Sequence, residues 1–204
     1  MSQGPLGDRS RIEVRVTGFG GQGVVLAGHI IGRACAIHGG KHATLIQSFG
    51  PEARGSACSA TLAISDTEVL YPYISRPDIL VVMSSEGYEK YRDELKPKGT
   101  LVYEQDLVLP RPKTGQQAFG VPSTRLAESL GRSIVQNIVM VGFFTGVTNL
   151  VPRDAMREAV AGSVPAGTEE LNLKAFASGL EFADGAVKQP ALHLTRPPAE
   201  GVTT

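Results

Sequence analysis

The sequence predicts an α/β fold: a three-layer sandwich with a central, mostly parallel or mixed sheet and helices on both faces. Near the start, Ile12, Val14 and Val16 alternate with polar neighbours and run into Gly18-Phe19-Gly20-Gly21-Gln22-Gly23, after which a long apolar stretch opens at Val24. That is a strand, a glycine loop and a helix. Residues 79–83, ILVVM, form a continuous apolar run of the kind buried on both faces of a sheet. Beyond them, short strand-like runs alternate with helical stretches, the signature of the α/β class.

Taken in order, residues 12–17 read as the first strand and 24–37 as the first helix. HATLIQ at 42–47 and ACSATLAI at 57–64 read as two strands forming a hairpin-like unit, joined by the turn-rich SFGPEARGS. Pro77-Asp78 opens the strand at 79–83, and Ser84 and Ser85 are N-cap candidates for the helix SEGYEKYRDEL. Lys96-Pro97-Lys98-Gly99 stops that helix, and TLVYE at 100–104 is the next strand. The polar stretch from Gln105 to Gln117 reads as a loop, and FGVPS contains a short strand before the helix TRLAESLG. Residues 134–148, IVQNIVMVGFFTGVT, form a helix apolar nearly all round, which requires burial in the fold or in a partner. A lone chain is expected to struggle to cover it. Helices RDAMREAVA and TEELNLKAFASGLEFADGAV follow. The organisation expected is a flexible N-terminus over 1–10, one domain over 11–186 and a flexible tail over 187–204, with no internal repeat.

At 204 residues the chain is long enough for one well-buried domain and short for two. Lys and Arg total 20, as do Asp and Glu, so no overall field draws it to nucleic acid or to an anionic membrane. Cys35 and Cys58 lie in apolar segments and form no C-x-x-C, so this chain alone assembles neither a zinc site nor an iron–sulfur cluster, and two buried thiols are expected. The longest apolar stretch, 134–147, is broken by Gln136, Asn137 and Thr145 and is short for a membrane span. No basic start with an apolar h-region is present, and a soluble, cytoplasmic protein is expected.

The G-x-G-x-x-G spacing of the glycine loop admits three readings. In a dinucleotide site the glycines allow close approach to a pyrophosphate at the helix N-terminus, and an acid about 20 positions on binds the ribose. Here the second strand ends in Gln47, Ser48 and Phe49, and no Asp or Glu occurs between Glu13 and Glu52. The other readings are a structural tight turn, and a loop facing a ligand or partner without being a dinucleotide fingerprint. In the stretch 48–56, Gly and Pro shape a turn that displays Glu52 and Arg54 beside Gly55. An exposed loop with a weak surface ion pair is the equal alternative.

In this order, GFGGQGVVLAG, SFGPEARGS, ILVVM, IVQNIVMVGFFTG and ELNLKAFASG resemble the gamma subunit, or gamma domain, of the 2-oxoacid:ferredoxin oxidoreductases. The resemblance runs from about Arg11 to about Phe182 and is closest to the 2-oxoglutarate and pyruvate enzymes, 2-oxoglutarate being favoured; the indolepyruvate enzymes carry a similar domain. It implies a subunit of an enzyme converting a 2-oxoacid and coenzyme A to an acyl-CoA, CO2 and reduced ferredoxin. No catalytic residue and no metal ligand is implied on this chain. Thiamine diphosphate, Mg2+ and 4Fe-4S clusters are expected on others: thiamine-binding alpha and beta subunits and a cluster-bearing chain, with ferredoxin or an equivalent acceptor. By the same resemblance, Gly18, Gly20, Gly21, Gln22 and Gly23 form one loop facing the active-site and CoA region, and Gly50, Pro51, Glu52, Ala53, Arg54 and Gly55 a second. The rivals are a self-sufficient NAD(P)-dependent oxidoreductase, against which the missing acid counts, and a plain interaction module.

His29, His38, His42 and His193 show no ligand spacing. For Asn137 and Asn172 an internal hydrogen bond is favoured over ligand contact. The Tyr71-Pro72-Tyr73 turn is a partner-facing cluster or core packing.

Overall fold

The computed structural model describes residues 11–48, 57–71 and 73–188. Expectations for 1–10, 49–56 and 189–204 lie outside the described residues. One six-stranded sheet has the order β2-β3-β1-β4-β5-β6, with β1 (Arg11–Phe19), β2 (His42–Ser48), β3 (Ala57–Ser65), β4 (Ile79–Val82), β5 (Thr100–Glu104) and β6 (Gln117–Val121). The helices are α1 (Val24–Arg33), α2 (Ser85–Tyr91), α3 (Ser123–Ser129), α4 (Gln136–Thr148), α5 (Arg153–Ala161) and α6 (Glu169–Lys188). Strands β1, β4, β5 and β6 are parallel, while β3 runs antiparallel to both β1 and β2. The sheet is therefore mixed, and 42–47 and 57–64 do pair as neighbouring antiparallel strands.

From β1 the chain crosses through α1 to β2 on one side, and from β4 through α2 to β5 on the other. Right-handed crossovers in opposite directions put α1 and α2 on opposite faces. The larger core packs α1 and α3 to α6 over Val14, Val16, Leu62, Val81 and Val102. On the other face Tyr88 and Tyr91 of α2 cover Leu80, Val82 and Leu101. This is the expected three-layer sandwich, with one layer much thicker than the other.

One expectation needs correction. Every residue of α4 from Asn137 to Thr148 is buried within this chain, so a single chain does cover the apolar helix. Small residues make the covering possible: Gly142 meets the backbone of Phe176 and Leu180 on α6, Gly146 meets Ala183, and Gly179 of α6 meets the backbone of Val139. Close approach of the two axes buries both helices along their length. The hydroxyls of Thr145 and Thr148 donate to the carbonyls four residues back, at 2.7 and 2.8 Å, so neither is stranded in the core.

Smaller differences have local causes. The first helix keeps its direction but ends in a wider π-helical turn, Ala34–His38, before Gly39 and Gly40. Strand β6 starts at Gln117, inside the stretch expected as loop, because Gln117 and Ala118 pair with Thr100 and Leu101 of β5 and an edge strand tolerates an exposed Gln. Both cysteines are buried and free, and burial pushes the Cys35 thiol up to about 12. No helix among the described residues is long and apolar enough to cross a membrane.

Candidate functional site

Strand β1 ends where the glycine loop begins, at the carboxyl edge of the sheet and beside the end of β4. Because α1 and α2 leave these neighbouring strands on opposite faces, the gap between them is the switch point at which open α/β sheets place their ligands. Gln22 bridges this gap. Its Oε1 accepts from Phe19 N at 2.7 Å and its Nε2 donates to Met83 O at 3.0 Å. A backbone turn, Gln22 N to Phe19 O at 3.2 Å, sets the strap.

The glycines divide into two groups around that strap. A Cβ on buried Gly18 would lie 2.6 Å from Gln22 Oε1 and 3.0 Å from Met83 Cβ, so glycine there leaves room for the bridging amide. Gly23, at φ 74, is the N-cap of α1, and a Cβ on it would strike Asn137 Nδ2 at 2.4 Å. That amide instead donates to Gly23 O at 3.3 Å, the internal bond favoured for Asn137. Gly20 and Gly21 are exposed with nothing among the described residues near where a Cβ would stand, and Gly21 turns the chain at φ 95. Of the five positions expected to face a ligand, Gly20 and Gly21 present open backbone. Gly18, Gln22 and Gly23 are the loop's underside, because both functional atoms of the Gln22 amide are engaged with backbone. Among the described residues no side chain caps the first turn of α1, which leaves its N–H groups as donors at the same edge.

Pairing in the sheet brings the ends of the second motif to this place. Ser48 at the end of β2 pairs with Ser59, while Cys58 and Ala57 at the start of β3 pair with Gly18 and Phe19. Of the residues flanking that motif, Ala57 thus lies beside the glycine loop and Ser48 one strand further off, across β3. Gly50, Pro51, Glu52, Arg54 and Gly55 themselves lie outside the described residues. The same topology argues against a dinucleotide site. Ribose recognition uses the end of a second strand adjacent to the first, but here β3 lies between β1 and β2, moving the β2 end a further strand spacing of about 4.8 Å away.

Sequence reasoning missed a third contributor to this edge. Glu104, buried at the end of β5, accepts from Ser123 Oγ, from Thr124 N at 3.0 Å and from Asp106 N at 3.1 Å. It caps α3, whose own N-cap position, Pro122, offers no side-chain acceptor. Thr124 Oγ1 donates onward to Gln136 Oε1 at 2.9 Å, next to Asn137. A carboxylate ending an otherwise apolar strand was the available signal. The remaining candidates are ordinary: His29 and His42 are exposed, His38 Nδ1 lies 3.0 Å from Glu158, and Asn172 donates to Thr168 O at 2.9 Å. His193 and Pro72 lie outside the described residues. The Tyr71 and Tyr73 rings touch at 5.5 Å and are both exposed, so they do not pack the core.

A strapped glycine loop at the switch point of a mixed six-stranded sheet defines the class structurally, and comparison with known proteins agrees. Residues 13–182 match the family described as pyruvate ferredoxin/flavodoxin oxidoreductase. The chain is 45% identical over 178 residues to the 2-oxoglutarate synthase subunit KorC of Methanocaldococcus jannaschii, covering 86% of this chain and 95% of the relative. Among solved structures, the gamma subunit of a keto/oxoacid ferredoxin oxidoreductase from Geobacter sulfurreducens superimposes with a TM-score of 0.79 at 38% identity, over 87% of this chain and 99% of that one. The 2-oxoglutarate:ferredoxin oxidoreductase of Magnetococcus marinus, solved with 2-oxoglutarate, coenzyme A and succinyl-CoA bound, has the same fold over 90% of this chain and 33% of its own, with a TM-score of 0.79 at 23% identity. This chain belongs to the pyruvate ferredoxin/flavodoxin oxidoreductase family, as a gamma-type subunit of a 2-oxoacid:ferredoxin oxidoreductase.

Proposed function

We propose that this chain serves a complex that oxidises 2-oxoglutarate with coenzyme A to succinyl-CoA, CO2 and reduced ferredoxin, and that its two loops close over the active-site and CoA region. The observation that supports the second part is the strand register that sets Ala57, the residue following the second motif, opposite Phe19 of the glycine loop. The substrate rests on the likeness to the KorC relative. Thiamine diphosphate, Mg2+ and 4Fe-4S clusters belong to alpha, beta and cluster-bearing partner chains in this proposal. In support, the chain has two cysteines where a cluster takes four, and Cys35 and Cys58 sit on separate elements, after α1 and at the start of β3. What this chain contributes is shape: open backbone at Gly20 and Gly21, the uncapped first turn of α1, and a guanidinium at Arg54 suited to a phosphate or carboxylate.

Co-expression with the partner chains, followed by ferredoxin reduction with 2-oxoglutarate and with pyruvate, tests the substrate. A kcat/KM at least about tenfold higher for 2-oxoglutarate is expected, a difference of about 1.4 kcal/mol; a preference for pyruvate overturns it. For the loops, Arg54→Ala should assemble normally and lose about 1.5–3 kcal/mol of binding to an anionic group, read as a raised KM for CoA or a lowered kcat. Wild-type values of both, together with a wild-type KM for the 2-oxoacid, would make Arg54 a solvated turn residue.

A further inference from the structure

Strand β2 forms one edge of the sheet and is paired by β3 alone, so every second residue from His42 to Ser48 turns its N–H and C=O outward. Among the described residues no backbone hydrogen bond reaches that outer side. Sheets guard such edges with charges, proline, bulges or short strands. HATLIQS has no Lys, Arg, Asp, Glu or Pro, and its register with β3 runs unbroken through seven residues. The opposite edge, β6, is five residues long and carries Gly120.

Beside β2 runs a groove of about 200 Å³, bounded on its other side by the second half of α1. The placing of α1 leaves it open. A Cβ on Gly28 would stand 2.7 Å from Ala60 Cβ and one on Gly32 3.0 Å from Leu62 Cδ2, so the helix rests over β3 and leaves Ala43 and Leu45 of β2 half-buried. The π-helical turn Ala34–His38 then sets Ile37, 62% exposed, along the same groove. Turns of this kind recur at functional sites. Ile37, Ala43 and Leu45 thus offer apolar area that solvent reaches.

Charge gives the groove a sign. No acid among the described residues lines it, and Arg33 is its one permanent charge. Arg33 Nη1 donates to Gly162 O at 3.0 Å, its Nε has no partner, and no carboxylate pairs with it among the described residues. The neighbouring cations are settled, His38 against Glu158 and Lys41 against Asp66.

We propose that β2 receives an added strand: an extended segment of a partner subunit that bonds to its outer backbone, lays an apolar side chain between Ile37 and Leu45, and sets a carboxylate at Arg33. A second copy fits less well. Pairing β2 antiparallel with its own image would bring the Arg33 of both copies to one face, like charge towards like. The inference rests on this chain's place in a multi-subunit enzyme and not on what the two loops do.

Hydrogen–deuterium exchange of the full chain, free and assembled with its partner subunits, tests it. Amides of 42–48 should exchange at least about tenfold more slowly in the complex, since the added strand protects them. Ile37→Lys, at an exposed position, should melt as the wild type does and yet bind the partner chains at least about tenfold more weakly in competition with it. Arg33→Gln, which keeps a donor for Gly162 O, should bind them a few-fold more weakly, the scale of an ion pair open to solvent. Assembly with 42–48 exchanging as in the free chain, or undiminished binding by Ile37→Lys, overturns this proposal alone. Failure of the wild type to assemble overturns it together with the complex proposed above. Protection of 42–48 in the free chain that rises with its concentration assigns the edge to a second copy, and protection lost on removing 1–10 or 189–204 assigns it to the chain's own ends; either result overturns the partner segment.

Discussion

A Cβ on Gly142 would lie 2.1 Å from Phe176 O and one on Gly179 2.0 Å from Val139 O, whereas a Cβ on Gly20 would meet nothing within 4 Å. In the α4–α6 contact, glycine is dictated by the fold, because two helix backbones occupy the space a side chain would need. At Gly20 nothing among the described residues asks for glycine. Gly18, Gly21 and Gly23 fall between these extremes: Gly18 makes room for the Gln22 strap, and Gly21 and Gly23 hold left-handed backbone. The comparison teaches that a G-x-G-x-x-G pattern mixes positions of different origin, and that only those the fold leaves unexplained point outward.

The largest effect should come from the helix contact. Gly179→Ala should separate α4 from α6 and cost about 3 kcal/mol, a fall in Tm on the order of 10 °C, since the obstruction is backbone and has no rotamer to change. Calorimetry of the full chain checks this, and a Tm within about 1 °C of wild type would mean the helices have slack that the 2.0 Å contact denies. Next comes the strap. Gln22→Ala should lose about 1–3 kcal/mol by leaving Phe19 N and Met83 O without their partner. Gln22→Glu should be no better, because a carboxylate accepts from Phe19 N but offers no donor to Met83 O. If Gln22→Glu melts like the wild type, the amide does not bridge the strands.

Gly21→Ala should be milder, about 1 kcal/mol from forcing alanine into φ 95, so any loss of turnover there mixes strain with lost access. Gly20→Ala separates the two. It has open space and no left-handed backbone, so its stability should stay within about 0.5 kcal/mol of wild type. Ferredoxin reduction by the assembled complex should nevertheless fall if a partner or ligand approaches this backbone. An unchanged rate would reduce the loop to a tight turn.

How far the sequence goes differs between these regions for the same physical reason. Local pattern found β1, the glycine loop and α1, because the alternation of Ile12, Val14 and Val16 and the switch to a helical period at Val24 are properties of neighbouring residues. The same holds for α2, capped by Ser84 Oγ accepting from Gly87 N at 3.1 Å. Local pattern also marked 134–148 as a buried helix, yet misjudged what buries it. The cover is α6, more than thirty residues away, and the fit depends on which glycines of each helix face the other's backbone.

By itself, then, the sequence determined the α/β class, most of its elements in order, and the pair of motifs that carries the family resemblance. Tertiary structure decided which motif positions are open. Gln22 is legible as a loop residue, but its engagement with Met83 O depends on β4 lying beside β1, sixty-one residues away. That the chain re-enters the sheet beside the glycine loop depends on Cys58 and Ala57 pairing with Gly18 and Phe19, and the weakness of a dinucleotide reading on β3 standing between β1 and β2. Strand order is a long-range outcome, because each strand's own residues specify that it pairs and which face it buries, while its neighbour is chosen by the packing of the whole sheet and its helices.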